Sequence, residues 1–384
     1  MAAFTRLFYE DWANLPDLVL IQIFSYLSEV ERWRVGSTCK HWRQCLEIPQ
    51  LWRTFKCVFE PQEDKKLIKC IKKYGHFIRR LTIFIQYNAI EVLKHLSRIE
   101  NVRLSYLSID CKGVNVFCGY YSLFFVKRLF TKIGEKKEKS TLKHLSLTSC
   151  SGEFIDNLIV KISATCPNLE YFTFLRDGCM SKIFLNRMVI LALKCRKIQT
   201  LHLYYTSLSD GVLKALSEAG RKPLQRLKIV CSLHYNFDLS SAAWSCLLAA
   251  NPDLKVSLIF EYGCSPHCIS KIMKPEIPVH ELYLTANRFD PATYLQINMA
   301  VAYYEQMIEK LVVLSRPSRE LQQSLLYAAG RCKKLKALYV DCVLDKDVID
   351  QILELCPLVR DTKDYILKWS KDVGINATES ATNL

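Results

Sequence analysis

Apolar residues recur along most of the chain in a short phrase with the pattern L-x-x-L-x-L. The clearest copies are Leu142-x-x-Leu145-x-Leu147-x-x-Cys150 and Val279-x-x-Leu282-x-Leu284-x-x-Asn287. Apolar and polar residues alternate in the second half of the phrase, which is typical of a short strand with one buried face. The Cys or Asn after each copy indicates a turn that buries a small polar side chain. The phrase therefore predicts a strand followed by a tight turn.

Weaker copies of the phrase follow one another at nearly regular intervals. The central positions are Leu81, Leu107, Leu145, Phe172, Leu201, Leu227, Val256 in a slipped copy, Leu282, Leu311 and Leu338. Successive positions lie 26 to 29 residues apart, except for one gap of 38 residues that contains a helix candidate, Tyr120–Ile133. This spacing is typical of a helix-containing leucine-rich repeat.

Turn signals in front of several strands indicate where the intervening helices end. They are Cys166-Pro167, Cys195-Arg196, Asn251-Pro252, Cys332-Lys333 and Cys356-Pro357. Each unit is therefore predicted to run strand, turn, helix, turn, and to stack into an α/β solenoid with parallel strands inside and helices outside. A doubly wound α/β domain also alternates strands and helices, but no glycine-rich phosphate loop follows any strand here.

Residues 11–53 have a different pattern, which predicts three short helices. Pro16 suits the first turn of a helix. The apolar stripe that follows it consists of Leu18, Leu20, Ile21, Ile23, Phe24 and Leu27. Three helices this short cannot bury so much apolar surface among themselves, so they need a partner or a large neighbouring domain. The alternative is a small helical cap on the domain that follows.

Four blocks in this stretch resemble the F-box family. They are Leu15-Pro16-Asp17, Ile23-Phe24-Ser25-Tyr26-Leu27, Thr38-Cys39-Lys40-His41-Trp42 and Leu51-Trp52-Arg53. The resemblance implies binding to the Skp1 adaptor of a cullin-based ubiquitin ligase. The residues that it implies for Skp1 binding are Leu15, Pro16, Leu18, Ile23, Phe24, Leu27, Trp42, Leu51 and Trp52.

An F-box followed by leucine-rich repeats resembles the F-box/leucine-rich-repeat family of ligase substrate receptors. The subgroup that is most similar includes F-box and leucine-rich repeat proteins 3 and 21 and F-box only proteins 33 and 39. The predicted organisation is an F-box at 11–57, a connecting helix at 58–75, about ten irregular repeats at 76–365, and a C-terminal cap and flexible tail at 366–384. The resemblance implies Skp1, cullin-1 and a RING subunit as partners, together with a protein substrate that the sequence does not identify.

The polar positions of the repeat strands are the candidate substrate surface. Because side chains alternate along a strand, these positions face away from the core. The strongest candidates are Tyr171, His202, Arg226, Lys228 and Tyr283, because Tyr and Arg are common interface anchors. The alternative is a solvated strand face without a ligand.

Composition narrows the class of protein further. The sequence contains no run of 18 apolar residues, so no membrane span is predicted, and the N-terminus lacks the apolar h-region of a secretory signal. Seventeen cysteines in such a chain indicate free thiols in a reducing compartment, so we expect cytoplasmic or nuclear residence. The net charge of +15 favours acidic partners, but without an RNP motif or zinc-finger spacing it does not favour nucleic acid.

Candidate chemistry is sparse. Cys264-Ser265-Pro266-His267-Cys268 offers three metal ligands, but a structural zinc site normally needs four, so no metal and no cofactor are predicted. No nucleotide loop, carboxylate pair or nucleophile elbow is present, which predicts a non-catalytic adaptor. A Skp1-bound scaffold that acts outside a ligase, or a repeat module that binds anionic surfaces, are the remaining alternatives.

Overall fold

The computed structural model describes residues 12, 15–58, 64–84, 90–99, 103–111, 116–134, 140–149, 154–175, 181–232, 237–285 and 293–369. The chain divides into two compact units. The N-terminal unit comprises Met1–Arg176 and Ile190–Ile198, and the C-terminal unit comprises Asp177–Val189 and Gln199–Leu384. Each unit has its own core of buried aliphatic and aromatic side chains.

The N-terminal unit begins with three short helices and continues with alternating strands and helices. Its elements are α1 (Asp17–Ser25), α2 (Glu29–Val35), α3 (Lys40–Cys45), a 3₁₀ turn at Pro49–Trp52, β1 (Thr54–Val58), α4 (Asp64–Tyr74), a 3₁₀ turn at Gly75–Phe77, β2 (Arg80–Phe84), α5 (Ile90–Leu96), β3 (Tyr106–Asp110), α6 (Val116–Gly134), β4 (His144–Thr148), α7 (Phe154–Thr165) and β5 (Tyr171–Leu175). Neighbouring strands pair in parallel, in chain order from β1 to β5.

Helix α8 (Lys182–Lys194) precedes the strands of the C-terminal unit. The further elements are β6 (Thr200–Tyr204), α9 (Asp210–Leu216), β7 (Arg226–Cys231), α10 (Ser241–Ala250), β8 (Lys255–Phe260), α11 (Pro266–Ile272), β9 (Val279–Leu284), α12 (Thr293–Tyr304), β10 (Lys310–Val313), α13 (Arg319–Arg331), β11 (Ala337–Leu344), α14 (Lys346–Leu355), α15 (Pro357–Thr362) and β12 (Asp364–Trp369). These strands also pair in parallel and in chain order, from β6 to β12.

The repeat phrase predicted the strands well. All ten central positions lie within β2 to β11, and the slipped copy at Val256 coincides with a register shift between Val256 and Ser257. The predicted fold class is confirmed: three short helices are followed by parallel strands with helices between them, consistent with a leucine-rich-repeat solenoid. In the described part of the chain, no helix has the length and apolarity to cross a bilayer.

The strands β1 and β12 were not predicted, because neither carries the repeat phrase. The F-box boundary that we predicted after residue 57 falls inside β1, and the boundary before residue 366 falls inside β12. Both strands pair in parallel with the neighbouring repeat strand. The helix predicted at Tyr120–Ile133 is α6, which begins earlier, at Val116.

Buried thiols and one amide fill the turns between helices and strands. Cys166, Cys195, Cys332 and Cys356 are all buried, and the Cys195 thiol donates to the Cys166 carbonyl at 3.4 Å. Asn251 takes the same place, where its amide accepts a hydrogen bond from Leu224 N at 2.6 Å and donates one to Leu247 O at 2.8 Å. Through these hydrogen bonds Cys195 and Asn251 satisfy backbone groups that the turn would otherwise bury without partners. The ladder positions Cys150 and Asn287 lie outside the described residues.

Candidate protein-binding surfaces

Helix α1 has one apolar face inside the protein and a second apolar face outside it. Leu20 and Phe24 are buried, whereas Leu18 and Tyr26 are each 80% exposed. Val19 and Ile23 are also exposed, as is Trp12 ahead of the helix. Large apolar side chains that cluster at the surface mark a binding site more often than single ones do. The outer face of α1, which we define by Leu18, Val19, Ile23 and Tyr26, is therefore a candidate interface.

The buried Arg32 fixes the position of α1. Its Nε donates to the Phe24 carbonyl at 2.8 Å, its Nη2 donates to the Ser25 carbonyl at 3.1 Å, and its Nη1 donates to the Leu51 carbonyl. Two of these carbonyls lie in the last turn of α1, where a helix leaves carbonyl groups without intrahelical partners. Burial lowers the pKa of Arg32, but arginine stays charged at any physiological pH.

Two aromatic side chains hold the helices of the N-terminal unit together from inside. Trp52 is fully buried, stacks on Tyr74 with ring centres 4.0 Å apart, and donates from Nε1 to the Leu46 carbonyl at 2.7 Å. Phe24 meets the Trp42 ring edge to face at 5.6 Å. Helix α2 begins with a capping box formed by Ser28 and Glu31.

The structure sorts the predicted Skp1-binding residues into two groups. Those at least partly exposed are Leu15, Pro16, Leu18, Ile23, Leu27 and Trp42. Phe24, Leu51 and Trp52 are buried in this structure, so we expect them to support the surface from inside, and their predicted role in Skp1 binding stays a prediction. Sequence reasoning missed Val19 and Tyr26, although Val19, Ile23 and Tyr26 have the i, i+4, i+7 spacing of a helix face.

Asp17, at the start of α1, touches two side chains of α3. Its Oδ1 lies 2.7 Å from His41 Nε2 and 3.6 Å from Cys45 Sγ. The hydrogen bond with His41 lowers the pKa of Asp17, and burial raises the pKa of Cys45. Among the described residues these three form one group with metal-ligand chemistry. We interpret the group as a link between α1 and α3, because Asp17 and His41 are hydrogen-bonded to each other.

The strand face of the N-terminal unit carries a row of stacked planar groups. The Arg80 guanidinium lies 4.3 Å from the centre of the Tyr106 ring, Tyr106 stacks on His144 at 4.2 Å, and His144 stacks on Tyr171 at 4.0 Å. Burial and the Arg80 charge lower the pKa of His144 to about 4, so the imidazole is neutral at pH 7. Tyr171, one of the predicted substrate residues, therefore lies in this unit, at the end of the row.

The other four predicted substrate residues lie on the strand face of the C-terminal unit. His202 and Lys228 are paired neighbours on β6 and β7, and Lys228 Nζ lies 5.5 Å from the centre of the Tyr283 ring. Lys310 Nζ lies at the same distance from that ring. Arg226 is exposed on β7. The structure thus brings His202, Lys228 and Tyr283 together across β6 to β9.

His202 is a neutral group on this face. Burial and the Lys228 charge lower its pKa to about 4. Its Nε2 is buried and has no hydrogen-bond partner among the described residues. A buried nitrogen without a partner costs about 1–3 kcal/mol, so a ligand that donates to it or accepts from it gains affinity.

A carboxylate between two lysines lies at the edge of the same face. Glu309 accepts hydrogen bonds from Lys255 at 2.6 Å and from Lys336 at 3.0 Å. Partial burial alone would raise the pKa of Glu309, but the two lysines outweigh it and lower the pKa to about 2. Glu309 therefore offsets one of the two charges of Lys255 and Lys336, whereas Arg226, Lys228 and Lys310 form no ion pair with any described residue.

The Cys264–Cys268 segment has no ligand geometry. Cys264 and Cys268 are buried while His267 is exposed, and Ser265 accepts a hydrogen bond from Cys268 N as the N-cap of α11. Burial raises the pKa of Cys264 to about 12, so this thiol is a poor nucleophile.

Comparisons with known proteins find one family match near the N-terminus and relatives that cover most of the chain. Residues 12–57 match the F-box-like family. Human F-box/LRR-repeat protein 8 is 25% identical over 376 residues, which cover 94% of this chain and 97% of the relative. Mouse F-box/LRR-repeat protein 21 is 23% identical over 90% of this chain and 80% of the relative. Human F-box only protein 33 is 22% identical over 71% of this chain and 60% of the relative.

A solved complex of yeast Rad7 and Elc1 contains a chain that is 14% identical, with a TM-score of 0.46, over 100% of this chain and 94% of that one. Residues 12–57 match an F-box-like domain, and relatives named F-box/LRR-repeat proteins cover most of this chain, so the chain is similar to proteins of that class. The chain fits the F-box/leucine-rich-repeat family, as its motifs predicted. Relatives named F-box/LRR-repeat protein 21 and F-box only protein 33 also agree with the predicted subgroup.

Proposed function

We propose that this chain is the substrate-recognition component of an SCF-type E3 ubiquitin ligase. The F-box binds Skp1, Skp1 connects the chain to cullin-1 and a RING subunit, and the strand faces bind a protein substrate that is then ubiquitinated and degraded. The observation that carries the proposal is the outer face of α1, an exposed apolar surface inside a domain that matches the F-box-like family.

The energetics of this face support a protein partner. Fully burying a Leu or Val side chain contributes about 1.5–3 kcal/mol. Leu18, Val19 and Ile23 lie on α1 and Tyr26 is its C-cap residue, so a partner groove can cover all four together. The carbonyl contacts of Arg32 keep the helix rigid, which reduces the entropy lost on binding.

The chain itself acts by positioning rather than by bond chemistry in this proposal. It holds a substrate close to a ubiquitin-charged enzyme, which raises the effective concentration of the reactants. The raised pKa values of buried thiols such as Cys70 and Cys264, both about 12, argue against a thioester-forming cysteine at those positions. We expect the complex in the cytoplasm or nucleus, where thiols stay reduced.

Leu18→Glu tests Skp1 binding. The substitution places a charge on a leucine of the outer face of α1 that is 80% exposed, and we expect at least a hundredfold loss of Skp1 affinity, equivalent to about 2.7 kcal/mol or more. Leu295→Glu is the matched control, because Leu295 is a leucine on α12 that is 55% exposed. Co-purification of Skp1 and cullin-1 with each tagged variant is the measurement.

The proposal requires that Leu18→Glu loses both Skp1 and cullin-1 while Leu295→Glu keeps both. Equal recovery of Skp1 with both variants would refute the proposed interface. Recovery of Skp1 without cullin-1 on the unchanged chain would favour the second candidate, a Skp1-bound scaffold outside a ligase. With degradation blocked, proteins that remain bound to Leu18→Glu and accumulate are the candidate substrates.

Arg226→Glu/Lys228→Glu tests the substrate surface of the C-terminal unit. Neither cation forms an ion pair with a described residue, so reversing both charges is expected to cost the fold less than about 0.5 kcal/mol, but to reduce substrate recovery at least tenfold. Lys214→Glu/Lys271→Glu makes the same change in charge on α9 and α11 and should leave recovery unchanged. Unchanged substrate recovery with the strand-face variant, at unchanged Skp1 binding, would contradict the assignment of this surface.

A further inference from the structure

The N-terminal unit contains a pocket of about 750 Å³ in which the ionisable side chains are all basic. It lies where α4 and α5 end and where β2 and β3 begin. Its ionisable lining residues are Lys72, His76, Arg79, His95, Arg98 and Arg103, and two isoleucines supply apolar wall. No carboxylate of the described residues lines it. The pocket belongs neither to the outer face of α1 nor to the strand faces.

The negative C-terminal ends of two helices offset only part of this positive charge. The C-terminal ends of α4 and α5 point here, and each helix end carries about half a negative charge. Arg79 is engaged with backbone, because its Nη1 donates to His76 O at 3.1 Å and to Ile78 O at 2.9 Å. Lys72, Arg98 and Arg103 have no ion pair with a described residue. Four permanent cations against about one negative charge leave a large excess.

We propose that this pocket binds a compact anion that carries two or more phosphate groups. A phosphate ester carries about −1.5 to −2 charges at pH 7, so two of them balance the four permanent cations. The guanidinium groups of Arg98 and Arg103 can each bind a phosphate through two parallel hydrogen bonds.

The form of the site favours a compact ligand over a polymer. A nucleic-acid backbone needs cations arranged along a stripe, because its charges are spaced along a line. Here the cations converge on one concavity, whose volume lies in the range of about 300–1,000 Å³ that is usual for small ligands. His95 adds a ring N–H donor that does not have to be charged, since burial, together with the charges of Lys72 and Arg98, lowers its pKa.

Calorimetric titration of the full chain with inorganic triphosphate, at about 0.15 M salt, tests the site. We expect saturable one-to-one binding that Arg98→Glu/Arg103→Glu weakens at least about tenfold. Arg128→Glu/Lys194→Glu is the control, because it reverses two exposed cations of the same unit outside the pocket and should change affinity less than about threefold. Arg98→Gln/Arg103→Gln removes the charges without reversing them and replaces the first variant if that one does not fold.

Vesicles distinguish a free ligand from a lipid headgroup. Recovery on phosphatidylcholine vesicles that contain phosphatidylinositol bisphosphate, lost with Arg98→Gln/Arg103→Gln, would assign the site to a headgroup. Binding of triphosphate without vesicle recovery would assign it to a free polyphosphate. Two results would overturn the proposal: no binding of either probe by the unchanged chain, or equal weakening by the pocket and control variants, which would mean diffuse attraction to a basic surface.

Discussion

Replacing Arg32 by methionine is expected to lower the free energy of unfolding of the N-terminal unit by about 3–5 kcal/mol. Methionine keeps the apolar length of the side chain but has no donor for the carbonyls of Phe24, Ser25 and Leu51. Each hydrogen bond from the charged guanidinium contributes about 1.5–3 kcal/mol, and the buried Leu51 carbonyl loses its donor, whereas the Phe24 carbonyl keeps a hydrogen bond from Leu27 N at 3.2 Å. Because two of the three carbonyls end α1, its outer face should lose its fixed position, and Skp1 binding should weaken as well.

Urea unfolding followed by tryptophan fluorescence measures this change, since Trp52 lies 5.8 Å from the Arg32 guanidinium. Arg34→Met on the same helix is the control, because Arg34 is exposed, and it should change stability by less than about 0.5 kcal/mol. Similar unfolding midpoints for the two variants would mean that the carbonyls find other donors, and that Arg32 does not hold α1.

Trp52→Ala is expected to destabilise the same unit by about 3–5 kcal/mol. The substitution removes a fully buried ring that stacks on Tyr74, and it leaves the Leu46 carbonyl without its donor. Trp52→Phe keeps a ring for the stacking and should cost less, about 1–3 kcal/mol, mainly through the lost hydrogen bond.

Comparing Trp52→Ala with Leu18→Glu shows whether Trp52 supports the fold of the N-terminal unit or contacts Skp1 directly. If Trp52 stabilises the fold as a buried side chain, Trp52→Ala lowers the thermal unfolding midpoint. Leu18→Glu should instead remove Skp1 binding and leave the midpoint unchanged. A Trp52→Ala protein that unfolds like the parent but fails to bind Skp1 would instead show that this tryptophan reaches the partner, as its place in the F-box motif implied.

The sequence was sufficient for the features that repeat. The L-x-x-L-x-L phrase located β2 to β11, because the alternation of apolar and polar residues specifies a strand with one buried face. It did not locate β1 and β12, whose residues lack the phrase and become strands by pairing with β2 and β11. Pairing is a long-range property that a local pattern does not contain.

The surfaces were less predictable than the fold. Helix α1 has two apolar stripes, through Leu20 and Phe24 and through Val19 and Ile23, and the sequence does not say which one the protein covers. A buried Arg32 was not expected, since its partners are backbone carbonyls that no side-chain pattern reveals. The basic pocket joins Lys72 to Arg103 across two helix ends, so only the folded chain shows their convergence.

The reactivity of the buried thiols in the repeat turns can report local unfolding of the chain. Burial raises the pKa of Cys166 to about 11 and that of Cys332 to about 12, so neither thiol reacts with an alkylating reagent until its turn opens. One of them lies in each unit, and the exposed Cys246 supplies a rapidly reacting reference in the same sample. Timed alkylation followed by peptide mass spectrometry would therefore rank the opening of individual repeats, without any engineered label.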